Sequence, residues 1–162
     1  MKKLSFLIKL KIDEKLKLVE PSDDICKSYT EKSDNCMKSA KLLLKNNLYE
    51  NSVSMSYYAM YNLLTALLFK TGVKCENHAG SILIFRKLFE RDDLFDIISF
   101  AKEERIDKQY YITSEKDFVL TKESADDMIM RAEDFLVKMK MVLAELTNEQ
   151  IDQIRQRFKT LK

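Results

Sequence analysis

The stretch LYENSVSMSYYAMYNLLTALLF, Leu48 to Phe69, decides the fold. Met55, Tyr57, Tyr58, Ala59, Met60, Tyr61, Leu63, Leu64, Ala66, Leu67, Leu68 and Phe69 leave it little polar face. A helix that is apolar all round belongs in the middle of a bundle or at an oligomer interface. Gly72 is the residue that stops it. The rest of the chain must then supply the helices that cover it.

Upstream, Pro21-Ser22-Asp23-Asp24 is a helix start, with Ser22 able to cap and two acids at the positive end of the macrodipole. The stripe Ile25, Tyr29, Cys36, Ala40, Leu43 and Leu44, with Ser33 filling a gap, predicts a first long helix ending near Asn46-Asn47. Residues 1–20 are ambiguous. Leu4, Phe6, Ile8, Leu10 and Ile12 alternate like a strand, while Leu4, Ile8, Ile12, Leu16 and Val19 recur like a helix; a short helix or arm on the body is the expectation. Downstream, Asn77 can cap a helix carrying Ile82, Leu83, Phe85, Leu88 and Phe89 inward. Asp92-Asp93 opens another on Leu94, Phe95, Ile97, Ile98 and Ala101. Residues 108–121, rich in Tyr, Ser and Thr, read as a loop. Ala125, Met128, Ile129, Ala132, Phe135, Leu136, Met139, Val142 and Leu143 mark a further long helix. The box Thr147-Asn148-Glu149-Gln150 starts a terminal one on Ile151, Ile154, Phe158 and Leu161.

Composition agrees. The 162 residues contain two glycines, one proline and no tryptophan, too little turn chemistry for a sandwich, a barrel or a doubly wound α/β fold. Neither a Walker A loop nor a dinucleotide fingerprint can be built from Gly72 and Gly80 alone. The reading is all-α and one domain: an arm or short helix over 1–20, a helical bundle over 21–146, and an amphipathic basic helix over 147–162. Cys26, Cys36 and Cys75 form no CxxC pair, so they predict neither a disulfide framework nor a zinc site, and no cofactor is expected. His78 is the only histidine, which removes two-histidine metal centres. No apolar run reaches a membrane span and the start does not read as a secretory signal, so the expected location is cytoplasmic, with no membrane partner. The net charge of +2 is uneven: residues 1–20 carry six lysines against three acids, residues 147–162 four basic residues against two acids, and the body is net −3. A body of that sign argues against duplex DNA as the ligand, and the basic ends read most simply as solvated termini.

Three groupings bear on chemistry. The tyrosines of YYAMY (57–61) can stack bases, although at helical spacing among Met and Leu they more simply form core with hydroxyls bonded at its edge. His78, at a helix start, can act as acid or base, or can cap the helix or bond a neighbouring backbone group. In Glu103-Glu104-Arg105-Ile106-Asp107-Lys108-Gln109-Tyr110-Tyr111 the apolar stripe gives out, which reads either as a solvated helix end or as equipment for phosphate: a planar fork with hydroxyls beside it.

Taken together, AKLLLKNNLY (40–49), SYYAMY (56–61), Gly72, His78 and ERIDKQYY (104–111) resemble the small stand-alone prokaryotic branch of the HEPN domain family (higher eukaryotes and prokaryotes nucleotide-binding) over roughly residues 22–143. The resemblance implies a four- to five-helix up-and-down bundle with short additional terminal elements, commonly a homodimer. It implies a place in toxin–antitoxin systems, often with a small nucleotidyltransferase partner, and an RNA or nucleotide ligand. Many members are metal-independent RNases whose motif is Arg, four to six residues, then His. Here Arg105 matches the Arg, Tyr110 stands five residues on, and no histidine follows. A tyrosine of ordinary pKa, about 10, is a poor base at pH 7. The expected binding residues are therefore Arg105, Asp107, Tyr110, Tyr111 and Tyr58. The enzyme alternative is a metal-independent endoribonuclease using Arg105 with Tyr110 or His78, and a second alternative is a non-catalytic helical adaptor.

Overall fold

A computed structural model describes the backbone of residues 2–110 and 120–161 and the side chains of 5–105 and 120–161. Seven helices and a two-stranded sheet occur among these residues, in the order α1 (Lys2–Ile12), β1 (Leu16–Leu18), α2 (Asp23–Lys45), α3 (Tyr49–Lys70), β2 (Val73–Cys75), α4 (His78–Phe89), α5 (Asp92–Tyr110), α6 (Lys122–Glu145) and α7 (Asn148–Thr160). The fold is the all-α bundle read from the sequence, and α3 is its axis.

Helix α3 is covered by its own chain. From Ser52 to Lys70 no residue is exposed, because α2, α5 and α6 pack around it. Its length of apolar surface therefore does not of itself require an oligomer interface. Serines let α2 and α3 approach closely: Ser33 Oγ donates to the Ala59 carbonyl at 2.7 Å, and Ser52 Oγ to the Ala40 carbonyl at 2.9 Å. These bonds rotate α2 away from the sequence expectation. Its fully buried row is Ser33, Met37 and Ala40, while Ile25 is exposed and Tyr29, Cys36 and Leu44 only flank the core. The boundaries follow the signals. Ser22 accepts from the Ile25 N–H, Asn47 takes φ 59° after α2, and Gly72 takes φ +70° after α3. Helix α5 continues to Tyr110, past the start of the expected loop, whose residues 111–119 lie outside the described ones.

The first twenty residues hold both a helix and a strand. Leu7 and Leu10 are the buried face of α1, whereas Ile12 of the expected row is exposed. The strand is Leu16–Leu18, paired antiparallel with Val73–Cys75 in the register Leu16 with Cys75 and Leu18 with Val73.

The C-terminal helix is not a solvated end. Ile151, Ile154 and Phe158 are buried. Arg155 Nη1 donates to the carbonyls of Val19 (2.7 Å), Gly72 (3.2 Å) and Thr71 (3.3 Å). A Cβ on Gly72 would collide with that Nη1 and with the Val19 carbonyl, so the glycine serves both its positive φ and the arginine's approach. From α1, Lys11 Nζ reaches the carbonyls of Phe158 (3.3 Å) and Leu161 (3.1 Å), satisfying the open end of α7. The basic excess at both termini is thus partly consumed in tying them together.

Candidate functional site

On α3, Tyr57 and Tyr61 lie one turn apart and share a stripe, with Tyr58 beside them. Helix α4 begins opposite this stripe. Asn77, in extended conformation, accepts from the Gly80 N–H at 2.8 Å and is the cap. His78 is thereby left free of capping and turns onto the tyrosines rather than to a neighbouring backbone group. Its ring stacks on Tyr61, centroids 3.7 Å apart and planes 10° apart, and meets Tyr58 edge-on at 6.4 Å. Its Nδ1 lies 2.8 Å from the Tyr57 hydroxyl oxygen. Tyr61 completes the group through a 3.2 Å contact between its hydroxyl and Ser81 Oγ.

Arg105 enters from α5. The spacing Leu94, Ile98, Ala101, Arg105 is one helical face, and its first three members are fully buried. The arginine therefore continues the buried row instead of ending it in solvent. Its guanidinium carbon sits 4.7 Å from the Tyr58 ring centre and 5.2 Å from that of Tyr57. Such cation–π contacts are worth about 0.5–2 kcal/mol each, according to how far they are desolvated. The Arg105 Nε is buried and has no hydrogen-bond partner among the described residues. A charged donor in that condition is costly.

Electrostatics follow from this packing. Burial, then the charges of Arg105 and Lys102, push the His78 pKa below the ordinary histidine value, so the ring is neutral at pH 7. Burial, assisted by neighbouring Tyr61, pushes the Tyr57 hydroxyl far up, so it stays protonated. Burial also raises all three thiols, which are unpaired and only half-buried; none is poised as a nucleophile. No group of three or more metal-ligating side chains occurs among the described residues, and none of their helices is long and apolar enough to cross a membrane.

Of the residues expected from the sequence, Arg105, Tyr58 and His78 come together. The side chains of Asp107 and Tyr110, and all of Tyr111, lie outside the described residues. The tyrosine reading holds for Tyr57 and Tyr61, which are core with bonded hydroxyls. Tyr57, which the sequence places in the YYAMY group but not among the expected binding residues, is the one that bonds His78. The available signal was its four-residue spacing to Tyr61, which brings both onto one ring.

A family model for the HEPN domain matches residues 26–142. A protein of Methanocaldococcus jannaschii named "Putative toxin MJ0605" is 30% identical over 113 residues, 68% of this chain and 82% of that one. A "UPF0332 protein" of Thermotoga maritima is 26% identical over 140 residues, 83% of this chain and 98% of that one. Tyr57, Tyr58, His78 and Arg105 all fall within the matched span, and on the strength of that match the chain belongs to the HEPN domain family.

Proposed function

We propose that this chain binds single-stranded RNA or a nucleotide at Arg105 and acts within a toxin–antitoxin or nucleotidyltransferase-associated system. The observation that carries the binding reading is Arg105 itself: a guanidinium braced on two aromatic rings, with a buried Nε that has no partner among the described residues. Its fork suits phosphate oxygens, and the tyrosine brace fixes its direction at little entropic cost. The system-level reading is supported by family membership and by the toxin names of two relatives from M. jannaschii. A homodimer fits this reading. Met130, Val137 and Met141 form an exposed apolar row along α6, a face better suited to self-association than the covered α3.

Metal-independent cleavage is the second reading, favoured by the placing of His78 and Arg105 on the same two rings. One experiment separates the two. Purified protein is mixed with a short single-stranded RNA in EDTA at pH 7, and both affinity and products are measured. Binding without products supports the binder. Cleavage abolished by Arg105→Ala and by Tyr110→Phe or His78→Gln supports the enzyme. Neither binding nor cleavage leaves a helical adaptor.

A further inference from the structure

We infer that Tyr57 fixes His78 as the tautomer protonated on Nε2, making the imidazole a second hydrogen-bond donor for a phosphate group and not the base of the site. The ligand in this inference rests on the RNA- or nucleotide-binding reading; the tautomer does not. Tyr57 is wholly buried, and its hydroxyl contacts His78 Nδ1 at 2.8 Å. One proton lies between these two atoms. If it stood on Nδ1, the Tyr57 proton would have to point elsewhere in a dry core, and no other partner for it occurs among the described residues. If it belongs to the hydroxyl, Tyr57 donates to the Nδ1 lone pair and both atoms are satisfied. The proton of the neutral ring then stands on Nε2.

The surroundings keep the ring neutral. Among the described residues, the groups packed on it are the Tyr57, Tyr58 and Tyr61 rings from α3, with Arg105 and Lys102 acting on it from α5, and none of these is an anion. An imidazolium would therefore be unfavourable. The ring's two nitrogens are thus spoken for, one accepting from Tyr57 and the other carrying a proton. For His78 to take a proton from a ribose hydroxyl, the Tyr57 bond would first have to reverse. Arg105 and the His78 Nε2–H are both donors, so the ligand they suit is an acceptor-only group. Phosphate oxygens meet that requirement on every face, whereas among base edges only a pure acceptor edge, such as N7 and O6 of guanine, does.

The single histidine makes the test direct, because every imidazole signal belongs to His78. Long-range proton–nitrogen correlation spectra of the full-length labelled chain at pH 7 are expected to show one bare nitrogen, Nδ1, and one protonated nitrogen, Nε2. Tyr57→Phe, which removes only the buried donor, is expected to mix the tautomers and raise the titration midpoint of the ring. A ring protonated on Nδ1, or charged at pH 7, overturns the inference. Two probes then examine the ligand: a short single-stranded RNA with hydroxyl ends, and AMP. Whichever binds is expected to move the Nε2 signal and leave Nδ1 in place. His78→Gln, whose amide can reach the Nε2 position, is expected to keep affinity within about threefold, and His78→Asn to lose about tenfold or more. Equal losses in both, or binding that leaves Nε2 unmoved, overturn the phosphate role. If the wild type binds neither probe, the RNA or nucleotide reading fails by itself, and the free-protein spectra alone decide the Tyr57–His78 pair.

Discussion

Arg105→Ala separates a functional arginine from a structural one, because its two effects on stability oppose each other. The substitution removes two cation–π contacts, at 4.7 Å and 5.2 Å, together worth about 1–3 kcal/mol at a half-buried position. It also removes a buried Nε that has no partner among the described residues, relieving about 1–3 kcal/mol of unsatisfied desolvation. Folding stability is therefore expected to change by no more than about 2 kcal/mol in either direction, or roughly 4–8 °C in Tm for a chain of this size. Binding has no such compensation. Losing a charge-assisted pair to phosphate is worth about 1.5–3 kcal/mol, so affinity for a short single-stranded RNA falls roughly ten- to hundredfold. Far-UV circular dichroism reports the melt, since the chain lacks tryptophan, and anisotropy of an end-labelled RNA reports affinity. Arg105→Lys keeps the charge without the fork and is expected to lie between the two. Destabilisation beyond about 3 kcal/mol would show that Arg105 is a core strut, and unchanged affinity would show that the site does not face the ligand.

Other consequences are as direct. Gly72→Ala forces a side chain into a positive φ, at roughly 1–2 kcal/mol, and displaces Arg155; Arg155→Ala removes the same bonds from the other side. Each is expected to destabilise by about 2–4 kcal/mol in urea unfolding, with the double variant falling well short of the sum, and additive losses would deny the shared contact. Because the His78 pKa is lower folded than unfolded, the unfolded chain binds more protons below about pH 6.5, so the contribution of His78 is present at neutral pH and lost as pH falls through the folded value. His78→Gln should flatten that part of the pH–stability profile, and an unaltered profile would contradict the assigned burial. Val137→Asp, at an exposed position on α6, should leave the monomer folded and shift sedimentation at micromolar concentration from dimer towards monomer; an unchanged dimer would place the interface elsewhere.

The legible part of this protein was its periodicity and punctuation. The apolar run over 48–69, the caps at Ser22, Asn77 and Thr147, and the glycine after α3 are local signals, and each acts where it stands in the sequence. They determine the helices and, with so few glycines, the all-α class. YYAMY, His78 and the Arg105 segment likewise carry the resemblance to the HEPN family in the sequence itself.

What local signals could not determine was which faces meet. The rotation of α2 is fixed by Ser33 reaching the Ala59 carbonyl, a bond between residues 26 apart in sequence. The strand Leu16–Leu18 is too short to announce itself and exists because Val73–Cys75 lies beside it. Arg155 resembles any surface arginine until Val19, Thr71 and Gly72 present three carbonyls to it. In the sequence Arg105 reads either as the polar end of a helix or as a fork for phosphate, and only the laying of α5 on α3 brings it against the Tyr57 and Tyr58 rings. Periodicity reports that a residue faces the core, but not what it meets there. The Tyr57–His78 bond joins two helices across 21 residues, and only the packing of α4 against α3 creates it.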